Sequence, residues 1–550
     1  MDTLEPLTSD HTEHGRMYWL VHNLAGGFWR LARRYPRIST VFVIVLLFAL
    51  YSWHYLLQSF AVMLRIHFGT ALVIALVAGV IYGSIWFFGR GHSRRLQSGF
   101  MLLGTILVIG LAVFGDSVIT YLSLHQRYAT LNLVELKELP TTDHERVLPL
   151  NVVWSLANER ISETESPTPP DLVRIGEGYF WAMAIEPSYL VPRVMDKVDE
   201  IIQISATTVA PDFSRRQPIA VSFTVSENML LSKKTSNCSA RAFGFWRYFS
   251  YESSNILYMK DDVGAWVQVV TLIRWSGLFF PRPEFGGVQI IRQEEDSLSS
   301  WWRHITIGCG EWIPPEHVPR HVFLQGQNIL SYDASRYMAE SFRFQNGLFA
   351  PMPWNHRGDI RIPNLPDDVN HQPFTLFFKN EAEGMKGKLY HYFGLEPYDQ
   401  EKQGLSVSVF VPADGIGPSF VYRHSARGDN FIGISAVGPK VEESRKQYDW
   451  TKNRPVEHRP FIRKMRDANG VWRTRFTWLT TIVTFKNQEE QQRTLDGTSP
   501  RKRGPYTAGA IPEIVITDAA NGKPVWVTSA DQEVWVPEVE RELGKIWAQR

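Results

Sequence analysis

Three apolar segments lie close together near the start of the chain, at residues 40–60, 68–88 and 100–120. Each is close to the ~20 residues that an α-helix needs to cross a bilayer. The first two contain no Asp, Glu, Lys or Arg, and the third contains only Asp116. No comparable run recurs in the remaining residues up to 550. The pattern predicts a three-helix transmembrane module over 38–122 with the bulk of the chain as one large exterior region.

The basic residues give this module a direction. Arg30, Arg33, Arg34 and Arg37 precede the first segment, and Arg90, Arg94 and Arg95 lie between the second and third. Between the first and second there is only Arg65. Basic flanks favour the cytoplasmic side. The expected topology therefore has residues 1–37 in the cytoplasm, a short outside turn at 61–67, and everything after Leu122 extracytoplasmic: periplasm, exterior or lumen. A cleaved signal peptide is excluded because the first segment starts too late and runs too long. Within 17–35, Trp19, Leu20, Leu24, Phe28 and Leu31 form the apolar face of a possible amphipathic helix on the membrane surface.

The second segment carries Ala71, Ala75, Gly79 and Gly83 at four-residue intervals. Small side chains on one helical face let another helix approach closely, from the same chain or from a partner subunit. The polar residues His54, Gln58 and Asp116 do not form the line of groups that a proton relay needs.

Past residue 122 the pattern changes to mainly β with some helix, an α+β composition. A helix is expected over 152–163 and a Pro-rich loop over 166–170. Strands are expected at 200–209, 219–225, 266–275, 288–292, 305–309 and 322–324, with a helix at 334–344. Five prolines between 350 and 373 mark a connection. A second strand block follows at 375–379, 389–393, 405–411, 420–423, 431–437, 472–485 and 513–517. Asn521-Gly522 then signals a hairpin and 538–548 a closing helix. The expected organisation is two sandwich- or barrel-like domains, 123–349 and 374–550. Met259-Lys-Asp-Asp-Val-Gly-Ala-Trp266 and Met465-Arg-Asp-Ala-Asn-Gly-Val-Trp472 share one pattern, each ahead of a long strand. A duplicated β-unit would produce such an echo.

The chemistry-bearing motifs are sparse. Cys309, Glu311, Glu316, His317 and His321 are the best metal candidates, since two His four apart suit zinc on a helix. Pro314, Pro315 and Pro319 oppose a helix there, so the segment reads as a polar surface loop. No metal or cofactor is assigned. Cys238 and Cys309, the only cysteines, are free to pair in an oxidising compartment. Asn237-Cys-Ser239 matches a glycosylation acceptor. Gly308 and Gly310 flank Cys309, but His304, its nearest candidate base, lies in a stretch read as strand. Asp196, Asp199 and Glu200 show no acid/base spacing. Nucleophile elbows and phosphate-binding loops are absent from the sequence, so no catalytic residue is assigned. A net charge of +2 gives no reason to expect nucleic acid. The 19 Trp, 20 Tyr and 32 Phe suit interfacial belts and β-sheet cores.

These features point to a non-enzymatic structural or assembly subunit of an envelope complex. Its partners would be the lipid bilayer and either other membrane subunits or further copies of itself. A glycan- or ligand-binding module is the alternative, and an extracytoplasmic enzyme the third reading.

Overall fold

The computed structural model describes residues 40, 44–45, 54–88, 94–158, 161–207, 218–295, 297–351, 358–365, 372–399, 404–466, 470–484, 513–527 and 532–548. By their contacts, residues 59–550 form one compact unit and 1–58 another. Most of the first expected apolar segment, and all of 17–35, lie outside the described residues.

Two long helices open the larger unit: α1, Gln58–Phe88, and α2, Arg94–Ala129. One described helix, Gln58–Trp86, is by itself long and apolar enough to cross a membrane. Within α2, Met101–Gly110 and Val113–Ala129 meet that test only as a pair bent by 47°. The described residues thus give one such helix, or two with the bent pair, where the sequence suggested three. The expected turn at 61–67 is helix. That stretch holds neither Gly nor Pro, so nothing interrupts the backbone ladder.

α1 and α2 run antiparallel. Tyr82 Oη lies 2.9 Å from Thr105 Oγ1 at one level, and Thr70 Oγ1 donates to Asp116 Oδ1 at 3.4 Å at another. His67 Nδ1 sits 3.0 Å from the same Asp116 oxygen. The small residues at this contact belong to α2, with Gly104 against Ile81 and Gly115 against Thr70. Ala71, Ala75, Gly79 and Gly83 of α1 face outward instead. Among the described residues nothing lies within 4 Å of a Cβ built at Gly79 or Gly83.

Beyond α2 the body is α+β, built on four sheets. The largest joins β1 (Leu133–Glu135), β2 (Thr141–Asp143), β12 (Ile360–Arg361), β13 (Phe374–Asn380), β14 (Met385–Pro397), β15 (Val407–Pro412) and β16 (Ser419–Arg423). Its order is β1-β16-β15-β14-β13-β2, with β12 paired to β14. Every residue of β15 is buried, as expected for a central strand covered on both faces. Residues 133–143 supply both edges of a sheet otherwise made from 360–423. The expected domains 123–349 and 374–550 therefore share a sheet.

The second sheet holds β3 (Glu165–Pro167), β4 (Asp171–Ile175), β5 (Gly178–Pro187), β6 (Val198–Ser205) and β7 (Ile219–Phe223). A third runs β8 (Tyr251–Lys260), β9 (Trp266–Ser276), β10 (Arg282–Arg292) and β11 (Glu311–Ile313). The fourth runs β17 (Asn453–Arg466), β18 (Trp472–Thr484), β19 (Glu513–Asp518) and β20 (Pro524–Val527). Leaving aside β12, helix Leu298–Thr306 and the shorter helical turns, one order occurs twice. β4–β7, helix Thr235–Ala242, β8–β11 and helix Tyr332–Glu340 are followed by β13–β16, helix Ile434–Ser444, β17–β20 and helix Gln532–Ala548. The sequence echo falls at the same point of each copy, the first hairpin of the second meander. There Lys260 pairs with Trp266 and Arg466 with Trp472. Each cation lies over its Trp ring, at 5.4 and 5.0 Å.

Three expected strands take other forms. Residues 305–309 run from the last turn of a helix, Leu298–Thr306, into the loop beyond it, and that helix is begun by a reciprocal Ser297–Ser300 capping box. Residues 431–437 lead into helix Ile434–Ser444, whose buried Ile434, Val437 and Val441 share one helical face. Residues 322–324 form a 3₁₀ turn.

One core cluster brings together residues of three sheets: Leu172 and Trp181, Leu389 and Ala413, Val456 and Val483. Beside it lies a buried ionic triad. The Glu457 carboxylate accepts from Arg146 and Arg459, both at 2.8 Å, and from the Leu150 amide at 3.0 Å. Arg459 also donates to Thr481 Oγ1 at 2.6 Å. Removing one member of such a group strands the others without water. Glu457→Gln should therefore lower the stability of the extracted full-length protein by about 3 kcal/mol or more, read from its denaturant midpoint. An unchanged midpoint would show that the triad does not hold the sheets together.

Candidate functional site

Buried titratable groups are the first place to look for catalysis, and here they read as structural. His391 Nε2 contacts Asn328 Oδ1 at 2.7 Å, His424 Nε2 contacts Ser408 Oγ at 2.9 Å, and His458 Nδ1 contacts Thr480 Oγ1 at 2.9 Å. Burial pushes all three imidazoles down to about 3, so they stay neutral at physiological pH. Ser408 and His424 resemble a nucleophile–base pair, but both are fully buried. Burial likewise raises Glu396, whose carboxylate is held by the Ser435 amide and hydroxyl at 2.9 and 2.5 Å.

The residues singled out from sequence do not converge. Cys309 is paired with Cys238 across a separation of 71 residues, with Cα atoms 5.3 Å apart. His317 and His321 bracket the 3₁₀ turn Val318–Arg320, which contains Pro319. Glu316 is exposed, and Glu311 reaches toward Arg292 at 3.9 Å. Among the described residues no group of three His, Cys, Asp or Glu side chains has the geometry to hold a metal ion. His304 is buried on its helix with Nε2 3.5 Å from Glu294. Lys197 pairs with Asp199 at 3.0 Å, and the Asp196 carbonyl accepts from Lys233 at 2.7 Å.

Two features that no local motif announced stand out instead. One is a cleft of about 880 Å³ where β12 meets the end of β14. The Arg361 guanidinium lies 5.2 Å from the Tyr398 ring centre, and Arg343 donates to Asp359 at 3.4 Å. Arg423 donates to Gln345, and Asp399, Ser406 and Ser425 complete a polar wall. Such a lining offers stacking and hydrogen bonds of both signs, which suits a polar ligand.

The other is an apolar platform. Helix Leu190–Met195 and the turn Leu231–Lys233 are pinned together by Lys233, whose ammonium donates to the Met195 and Asp196 carbonyls at 2.6 and 2.7 Å. Helix Leu298–Thr306 packs beside the same turn. Leu190, Val191, Met195, Leu231, Leu298 and Trp302 are all more than half exposed. Leu231 keeps a left-handed backbone, φ 54°, that costs a non-glycine residue about 1–2 kcal/mol. Short runs such as Leu190-Val191 and Trp301-Trp302 are the sequence signal, and they look the same as core segments.

No known protein family matches the chain, and comparison with curated proteins and with solved structures finds no match.

One buried carboxyl gives a measurable property. Asp171, at the start of β4, is raised to about 7 by burial, with the Asn255 amide 3.4 Å away. The folded state holds this proton more tightly than the unfolded chain. The stability due to neutral Asp171 is therefore fully present below about pH 4 and is lost as pH rises through about 7. Asp171→Asn, which stays neutral, should gain on the wild type between about pH 5 and about pH 8 in thermal melts. A gap that stays constant across that range would mean that Asp171 is already ionised in the fold.

Proposed function

We propose that this chain is a membrane-anchored, non-enzymatic assembly subunit whose β-rich body docks a partner protein on its apolar platform. α1, with the bent α2, supplies the anchor. The Cys238–Cys309 pairing and the basic residues around 90–95 support a body on the extracytoplasmic side. The platform carries the reading. Contiguous apolar surface on a soluble face marks interaction sites, and here three short elements are braced so that it stays exposed. A second reading, a binding module for a polar ligand such as a glycan, is favoured by the Arg361–Tyr398 pair in the cleft.

The test is gentle detergent extraction of the full-length protein from its native membrane, with sizing and mass spectrometry of what comes with it. Leu190→Asp combined with Trp302→Asp should release the partner while the thermal melt is unchanged. A wild-type chain that migrates alone, or as a small homo-oligomer, would rule the assembly reading out and move attention to the cleft.

A further inference from the structure

β9 and β10 are joined by Gly277–Pro281, the sequence Gly-Leu-Phe-Phe-Pro. This loop keeps large apolar side chains in the open: Leu278 is 48% exposed and Phe279 45%. Its turn requires glycine at Gly277, where φ is 81° and a side chain would overlap the Phe280 carbonyl.

The loop touches the helix pair at two heights. The Pro281 carbonyl accepts from Ser123 Oγ of α2 at 2.9 Å, and Tyr337 Oη donates to the same hydroxyl at 2.6 Å. Two residues earlier, the Phe279 backbone lies against Gly69 of α1 so closely that a methyl group there would overlap the Phe279 carbonyl. Gly69 neighbours Thr70, which bonds Asp116 of α2. Ser123 and Asp116 lie two turns apart, about 10 Å along a helix. The loop therefore reaches back along the helices from the body to the level of Asp116, inside the apolar stretch 100–120.

The surroundings follow the same layout. The Leu348 carbonyl accepts from Tyr121 Oη, which places exposed Phe349 beside α2 near the end of that stretch. Arg274 and Arg282 flank the loop and share Glu284, each at contacts under 3 Å, 2.7 and 2.8 Å. An apolar tip above a charged base is the arrangement of a segment seated in a membrane interface.

We propose that Leu278 and Phe279 enter the phospholipid leaflet beside α1, fixing the height and tilt of the body on the membrane. This rests on the reading of α1 and α2 as the anchor. The occupant is lipid rather than protein because the tip has no polar side chain to pair and is continuous with the apolar faces of α1.

The natural cysteines are paired, so introduced ones can be labelled selectively. The full-length protein would carry a fluorophore at Phe279→Cys, Leu278→Cys, Val80→Cys or Val322→Cys and be reconstituted into phosphatidylcholine–phosphatidylglycerol vesicles. Val80 is an exposed position of α1, and Val322 adjoins Phe323, whose amide bonds Asp262 at the opposite end of the β8–β9 ladder. Quenching is read from lipids spin-labelled near the headgroup and near the chain end. Labels at 278 and 279 should lose emission to the shallow quencher, Val80 to the deep one and Val322 to neither. Quenching at Val80 with none at 278 or 279 overturns the insertion and leaves the anchor standing. A blue-shifted but unquenched label at 279 overturns it in favour of a protein contact. Absence of quenching at Val80 removes the anchor and the inference with it.

Discussion

Glu457 is a buried carboxylate between two buried guanidiniums, set beside the core that three sheets share. Isolated charge in a protein interior is expensive, so each of the three ions is tolerated only while the other two are in place. Arg146 comes from the segment after β2, and Arg459 and Glu457 from an irregularity in β17, where the register with β18 shifts between Val456 and Arg459. Glu457 itself sits at φ 51°, in the left-handed region. The backbone is bent to bring both partners onto one carboxylate. Because the triad adjoins a core shared by three sheets, it ties early and late parts of the chain together where no covalent link does.

The helix pair is joined to this body by a second shared carboxylate. Glu284 takes Arg274 and Arg282 at the foot of β9 and β10 and lies 3.8 Å from Arg127 of α2. Burial is the largest single influence and opposes its ionisation, but the hydrogen bonds from Arg274, Arg282 and Ser276 and the charge of Arg274 together hold its pKa below the usual carboxylate range. The tip of that same hairpin presses on α1. Helices and body are connected there and again beside the cleft, where the Tyr121 ring packs on Phe344 at 4.7 Å and Arg423 donates to Tyr128 Oη at 3.5 Å.

Much of the β architecture was legible from residue pattern alone. Strands 266–275 and 472–485 match β9 and β18 because their β-branched and aromatic runs are long and uninterrupted, and the Asn521-Gly522 turn joins β19 to β20 as its chemistry dictates. β4 and β5 were hidden behind the prolines of 166–170, and β17 behind its many Arg and Lys residues. Residues 431–437 read as strand because Ile, Val and Ala suit both forms, and only the spacing through Val441 separates them. The cleft could not be read at all. Arg361, Tyr398 and Arg423 belong to three separate strands or strand ends, and it is sheet register that makes them neighbours. The platform was equally hidden, since sequence does not distinguish a Trp pair facing solvent from one facing the core.

The placement of β1 and β2 bears on how such a chain is made. Both strands leave the ribosome just after α2, yet they are the outer edges of a sheet whose centre is synthesised far later: Leu133 waits for Ser419, and Thr141 for Lys379. Until then their hydrogen-bonding groups have no sheet to join. Long-range pairings of this kind form slowly and leave open edges vulnerable to misassociation. Completion of this sheet therefore waits on two emergences in turn, β13 for residues 141–143 and β16 for residues 133–135.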